Sequence, residues 1–166
     1  EFENSQTKEL FLVLDKTSAV NFERAVELVA SIVQAIIRKR GDFSFLSYGE
    51  DRSYFPKIKS QVQLEKVMHH LAVVKPETQE MERINLINEL SFINSSTLIV
   101  VTGALTEPLK NSLVHSTRVT RSAICFVVVD NKPLKNADIP SKIPGVKIMY
   151  ITKEMFPNVF TEVLKP

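Results

Sequence analysis

Leu10-Phe11-Leu12-Val13-Leu14 is apolar at every position, and it runs straight into Asp15-Lys16-Thr17-Ser18-Ala19 and then a helical pattern. A strand that alternates apolar and polar residues can leave one face in water. A strand apolar on both sides must be covered on both. The pattern recurs at Thr97-Leu98-Ile99-Val100-Val101, which ends in Thr102-Gly103-Ala104, and at Ala123 to Val129, which ends in Asp130-Asn131. Several such strands, with helical segments between them, leave few solutions other than a mostly parallel sheet sandwiched between helices.

The first helix is predicted from about Phe22, capped by Ser18 or Asn21, with Phe22, Val26, Val29, Ala30, Val33 and Ile37 inward. Arg38-Lys39-Arg40 suits its C-terminal dipole and Gly41 stops it. Phe43 to Tyr48 reads as a strand. Gly49-Glu50-Asp51 then turns the chain into a short edge strand, Arg52 to Phe55, ended by Pro56. Helical patterns follow over Val62–Val73 and about Glu80–Ile93, separated by Pro76. Glu107-Pro108 opens another helix. Val146–Ile151 reads as the last strand, and Thr152 caps a final helix from Lys153 to about Leu164. The expected order is β-α-β-β-α-α-β-α-β-β-α: an α/β, Rossmann-like, doubly wound sheet of about six strands with one antiparallel edge strand and helices on both faces.

Composition narrows the function classes. The chain has 166 residues, suited to a single domain over 1–166. A net charge of +2 gives no electrostatic reason to expect nucleic acid or an anionic membrane surface. Lys132, Lys135 and Lys142 lie in a loop without interleaved aromatics and read as a solvated face. The lone Cys125 sits in an apolar run and reads as an inert buried thiol; one cysteine makes no disulfide or Cys-based zinc site. No apolar stretch reaches the ~18 residues of a membrane span. The chain opens at Glu1 without Met, so the expectation is the C-terminal piece of a longer protein.

Strand ends in a parallel sheet share one edge, which is where α/β proteins bind ligands. Asp15, Thr17, Ser18, Thr102 and Gly103 fall there. Enzyme readings find little to build on. His69 and His70 are adjacent and cannot share a helix face, and His115 stands alone on another helix. A Ser18–His115–Asp130 triad lacks a nucleophile elbow, and a receiver-like or hydrolase-like use of Asp15 or Asp130 lacks acidic or basic neighbours that the sequence can place. With four glycines in all, no phosphate-cradling loop is present.

The order of elements, the acid-plus-hydroxyl loop and the early edge hairpin resemble a von Willebrand factor A domain over essentially the whole chain. Three stretches narrow the likeness: Phe2-Glu3 before the first strand, Glu23-Arg24-Ala25-Val26-Glu27-Leu28-Val29-Ala30-Ser31, and Leu71-Ala72-Val73-Val74-Lys75-Pro76. These are similar to the bacterial YeaD-like family, number 58 among families of unknown function. That resemblance implies a membrane-anchored parent with this domain on the cytoplasmic face. It also implies a non-enzymatic role in assembly or maturation beside a MoxR-type AAA+ ATPase.

A-type domains often hold Mg²⁺ through Asp-x-Ser-x-Ser, a middle-loop Thr and a later Asp. The resemblance places Asp15 and Thr17 on the first acid and first hydroxyl, with Thr78 nearest the middle-loop Thr. Ala19 stands on the second hydroxyl and Gly103 on the later acid. Asp15, Thr17 and Thr78 are what remains to hold an ion, a poor set for a cation that dehydrates reluctantly. The expectation is no cofactor and a degenerate metal-ion-dependent adhesion site, whose edge residues Asp15, Thr17, Ser18, Thr102 and Gly103 meet a protein partner directly. A metal-dependent ligand-binding A domain is the alternative. In the simpler reading, Asp15 and Thr17 hydrogen-bond to loop N–H groups and the start of the first helix.

Overall fold

A computed structural model describes residues 9–39, 41–77, 97–130 and 142–163. The expected Glu80–Ile93 helix, Thr78, Lys132, Lys135 and the Phe2-Glu3 marker lie outside these residues. Six strands form one sheet: β1 (Leu10–Asp15), β2 (Phe43–Tyr48), β3 (Ser53–Ile58), β4 (Thr97–Thr102), β5 (Ser122–Val128) and β6 (Val146–Ile151). Their order is β3-β2-β1-β4-β5-β6. Every neighbouring pair is parallel except β2–β3. The predicted sheet, with its single antiparallel edge strand, is the sheet observed.

Among the described residues the helices are α1 (Phe22–Arg38), α2 (Gln61–Val73), α3 (Glu107–Ser116) and α4 (Phe156–Val163). Leu10, Leu12 and Leu14 point to the side where α1, α2 and α4 pack; Phe11 and Val13 point to the side of Leu109 and Leu113 from α3. The pleat of one apolar strand thus feeds two cores. Each large side chain fully withdrawn from water contributes about 1.5–3 kcal/mol before entropy is charged against it.

Helix α1 buries Phe22, Ala25, Val26, Leu28, Val29, Ile32, Val33 and Ile36. That arc is broader than the stripe predicted, and Ala30 and Ile37 sit only at its margin. The reason is that α1 is covered by α2 and α4 as well as by the sheet. Its start also differs from prediction. Asn21 is the N-cap but adopts a left-handed backbone, φ 51°, and its side chain caps nothing. Instead its amide donates to the Val128 carbonyl at 3.1 Å, and Ser18 Oγ accepts from the Val20 N–H at 3.2 Å. The far end stops as expected, with the Gly41 N–H donating to the Ile36 carbonyl at 2.9 Å.

Two further boundaries are corrected. Pro56 does not end β3, which runs on to Ile58. The ladder to β2 shifts register between Phe43 and Phe45, Lys57 takes a left-handed φ of 48°, and its N–H donates to Ser44 Oγ at 3.0 Å. A bulge at the sheet border accommodates a residue without an N–H, so proline is tolerated inside the strand. The last helix does not begin at Lys153: Lys153–Met155 is one 3₁₀ turn, and α4 starts at Phe156 with Pro157 in its first turn, where a missing N–H costs nothing. Helix α2 opens on a capping box. Ser60 Oγ accepts from the Gln63 N–H at 3.2 Å, and Gln63 Oε1 accepts from the Ser60 N–H at 3.1 Å.

Candidate functional site

The strand order reverses at β1: β2 lies on one side of it and β4 on the other. Between the C-terminal ends of β1 and β4 is therefore the crevice where open α/β sheets receive ligands. Asp15 and Thr102 end these two strands. They do not line an opening. Thr102 Oγ1 donates to Asp15 Oδ2 at 2.8 Å, directly across the switch point. Asp15 Oδ1 accepts from the Thr17 N–H at 2.9 Å and from Thr17 Oγ1 at 2.6 Å. Asp15 is 1% exposed and Thr102 0%. The simpler reading of Asp15 and Thr17 is half met: they bond to each other and to a loop N–H, but the start of α1 is not involved.

Gly103 explains how the crevice is shut. A Cβ there would stand well inside contact with the Val20 carbonyl oxygen and 2.7 Å from its carbonyl carbon. The absent side chain is thus the space into which the β1–α1 loop folds. Asn21 ties that loop to Val128, and Arg24 bonds Asp130 at 2.6 Å just beyond β5. Of the five predicted edge residues, Asp15, Thr102 and Gly103 are buried; Thr17 and Ser18 are half-buried. Ala19 is exposed, and Val20 is 56% exposed.

Burial pushes the Asp15 carboxyl above the ordinary aspartate value, while the bonds from Thr17 and Thr102 pull it back. Burial also pushes the Cys125 thiol up to about 12, in keeping with an unreactive core residue. Ser18 and His115 lie at opposite edges of the sheet, because α3 begins just after β4 ends and runs back towards the start of β5. With Asp130 paired to Arg24 as well, the triad is not assembled. Among the described residues no three His, Cys, Asp or Glu side chains gather as metal ligands would.

Sequence reasoning missed a second polar cluster beside this loop. Lys16, directly after Asp15, is 5% exposed. Its ammonium donates to the Asp51 carbonyl and lies 3.4 Å from Glu77 Oε1. His70, half-buried on α2, packs its ring at 5.4 Å from Phe55 and 6.1 Å from Phe45, and its Nε2 is buried without a hydrogen-bond partner among the described residues. The one signal available was a lysine placed between an acid and a hydroxyl at the end of a buried strand.

Burial first, and the Lys16 charge second, hold His70 below the ordinary histidine value, with Asp51 opposing. An unfolded His70 takes its proton near pH 6.5 while the folded one resists. The unfolded state therefore binds more protons just below that pH, and stability declines as pH falls through it. Urea denaturation of the wild type between pH 7.5 and 5.5 is expected to show this decline. His70→Gln is expected to flatten it.

No family model matches the chain. It is 29% identical to the uncharacterized protein YeaD of Bacillus subtilis (strain 168) over 111 residues, 66% of this chain and 28% of that protein's length. Among solved structures it resembles a von Willebrand factor type A protein from Catenulispora acidiphila. That likeness has TM-score 0.62 and 9% identity and covers 94% of this chain and 41% of the other. It also resembles the conserved hypothetical protein BatB of Bacteroides thetaiotaomicron, with TM-score 0.59 and 10% identity over 93% of this chain and 96% of the other. The fold is that of von Willebrand factor A domains. No helix among the described residues is long and apolar enough to cross a membrane.

Proposed function

We propose that this domain is a non-enzymatic protein-interaction module that meets its partner through the β1–α1 loop at the strand-end edge, without a bridging cation. One observation carries the reading: the switch-point crevice is filled by the chain itself, stapled by Thr102–Asp15 and roofed by Val20 over Gly103. Among the described residues, the crevice is filled by the chain's own loop and is not a preformed cavity lined by free polar groups. A loop that exposes Ala19 and Val20, with Thr17 and Ser18 half-buried beside them, at the end of a buried strand is suited to be a contact surface.

The residues present do not fit the cation that this fold often binds. Mg²⁺ needs oxygen ligands in an octahedron. Here the Asp15 carboxylate already accepts three hydrogen bonds, Ala19 has no side-chain oxygen to offer, and the place of the later acid is taken by the Val20 carbonyl. The site is best read as a degenerate adhesion site. The two carboxylates suggested for catalysis have other partners: Asp15 is buried and accepts three hydrogen bonds, and Asp130 forms an exposed ion pair with Arg24.

The resemblance of the sequence to the YeaD-like family is what supports a MoxR-type AAA+ ATPase as the partner. The same resemblance supports a membrane-anchored parent that carries this domain on the cytoplasmic face. The test is co-purification of the full-length parent with the ATPase, with and without Mg²⁺, EDTA and ATP. The ATPase is expected to be recovered in EDTA as in Mg²⁺, and Val20→Asp is expected to lower recovery at least tenfold. Failure to recover the ATPase, together with turnover of a model ester or phosphoester by the domain, would overturn the reading.

A further inference from the structure

Beside the closed crevice the chain carries a buried cation of its own. The Lys16 side chain is 6% exposed, and a buried ammonium must be given acceptors. It has the Asp51 carbonyl and Glu77 Oε1. The same Glu77 oxygen accepts from the Asp51 N–H at 3.4 Å. Gly49 makes the room: a Cβ there would stand 2.5 Å from that oxygen and 3.0 Å from Lys16 Cε. An ammonium, a backbone N–H and a glycine that clears the approach are the components of a carboxylate receptor.

The present occupant fits loosely. Charge-assisted hydrogen bonds normally close to about 2.7–2.9 Å, whereas both Glu77 contacts stand at 3.4 Å. The cause is visible in the backbone. The Glu77 N–H is fastened to the Lys16 carbonyl at 2.8 Å, so its side chain must reach the ammonium from an anchored base. A carboxylate without that tether can close the gap. Glu77 lies in the non-helical Val74–Glu77 stretch after α2, and its side chain is 17% exposed, so the receptor opens outward through Glu77 itself.

We infer that Lys16 Nζ, the Asp51 N–H and Gly49 form a carboxylate receptor that Glu77 fills from within the chain, and that an acidic side chain of the protein partner exchanges with Glu77 there. This rests on the reading of the strand-end edge as a docking surface. It adds what that reading lacks, the chemistry of the partner's anchor. An acidic anchor gains a preformed cation, and Glu77 acts as a placeholder that keeps the buried ammonium compensated until the partner arrives.

The test vacates the receptor and offers it a free carboxylate. Glu77→Ala is expected to melt several degrees below the wild type. Sodium acetate, against sodium chloride at equal ionic strength, is expected to raise its melting temperature saturably, by about 3–6 °C at ten times the acetate dissociation constant. The wild type, with its receptor filled, and the Lys16→Met/Glu77→Ala double variant are expected not to respond. Should Glu77→Ala fail to fold, the isosteric Glu77→Gln takes its place, with acetate followed by the NMR shift of the Lys16 amide. No acetate dependence, or an equal one in the double variant, overturns the receptor.

In the co-purification assay Glu77→Ala is expected to raise recovery of the partner and Lys16→Met to lower it. Unchanged recovery in both overturns the exchange. If no variant recovers a partner, the docking reading fails by itself, and the acetate titration alone decides the receptor.

Discussion

Gly103→Ala is expected to cost about 3 kcal/mol or more, at the upper end of overpacking effects, because the added methyl meets backbone rather than a side chain that can swing aside. Relief would require the β1–α1 loop to retreat. That loop is fastened by the Asn21–Val128 bond, by the Phe22 N–H to the Ala19 carbonyl at 3.3 Å, and by the Arg24–Asp130 pair. Domains have roughly 5–15 kcal/mol to lose in total, so the fall in melting temperature should be about 6–12 °C. Gly103→Asp should be worse, and it separates two views of the site. In an open metal loop it would supply the missing acid, and Mg²⁺ would restore stability. In a loop packed onto Gly103 it brings a clash and a buried charge, and millimolar Mg²⁺ should change nothing. Thermal melts of both variants with Mg²⁺ or EDTA decide the matter. Ala19→Ser, on the exposed part of the loop, is expected to stay within about 0.5 kcal/mol of the wild type.

The second large effect lies across the crevice. Asp15→Ala removes the acceptor for the Thr17 N–H, Thr17 Oγ1 and Thr102 Oγ1 at once. Thr17 is half-buried and can turn to water. Thr102 is fully buried, but can turn its one hydrogen to the Ala104 carbonyl, 2.8 Å away. The net cost is expected to be about 2–4 kcal/mol. Asp15→Asn should behave differently. Its oxygen still accepts from Thr17, its amide can donate to Thr102 Oγ1, and Thr102 then turns its hydrogen to Ala104. The variant should lie within about 1 kcal/mol of the wild type at pH 7. The sign of the pH dependence follows from the raised folded pKa. Between the folded value and the lower unfolded one, the folded state holds the extra proton. The wild type therefore gains stability relative to Asp15→Asn as pH falls through the folded value. Paired urea titrations of the two proteins from pH 7 to pH 4 measure this directly. A wild type that lost ground to Asp15→Asn on acidification would contradict the desolvated environment assigned to Asp15.

The sheet was legible because its strands are apolar on both faces, and few topologies bury such strands. Asp15 and Thr102 were legible as partners at one edge for the same reason: parallel strands bring their ends together. What happens between them was not. Position 103 reads as a missing carboxylate in one dimension; in three dimensions it is where the Val20 carbonyl goes. The Lys16–Glu77 contact joins residues 61 positions apart, through a turn that closes only when β2 and β3 pair. No local period announces such a contact. Other misses were local. Ser60-x-x-Gln63 is a readable capping box, and Pro56 reads as a strand end in the sequence although a bulge lets proline remain within a border strand.

That bulge has a consequence for how the molecule keeps to itself. Along the β3 border, Pro56 has no N–H and Lys57 has turned its own inward to Ser44 Oγ. A strand from another molecule laid against this border would find no donor at two successive residues, and the local twist would carry it away from register. Edge-to-edge pairing through this stretch of β3 is therefore disfavoured. Under destabilising conditions, protection from such pairing here is a property of the backbone, and it should survive any change to the charge of the surface.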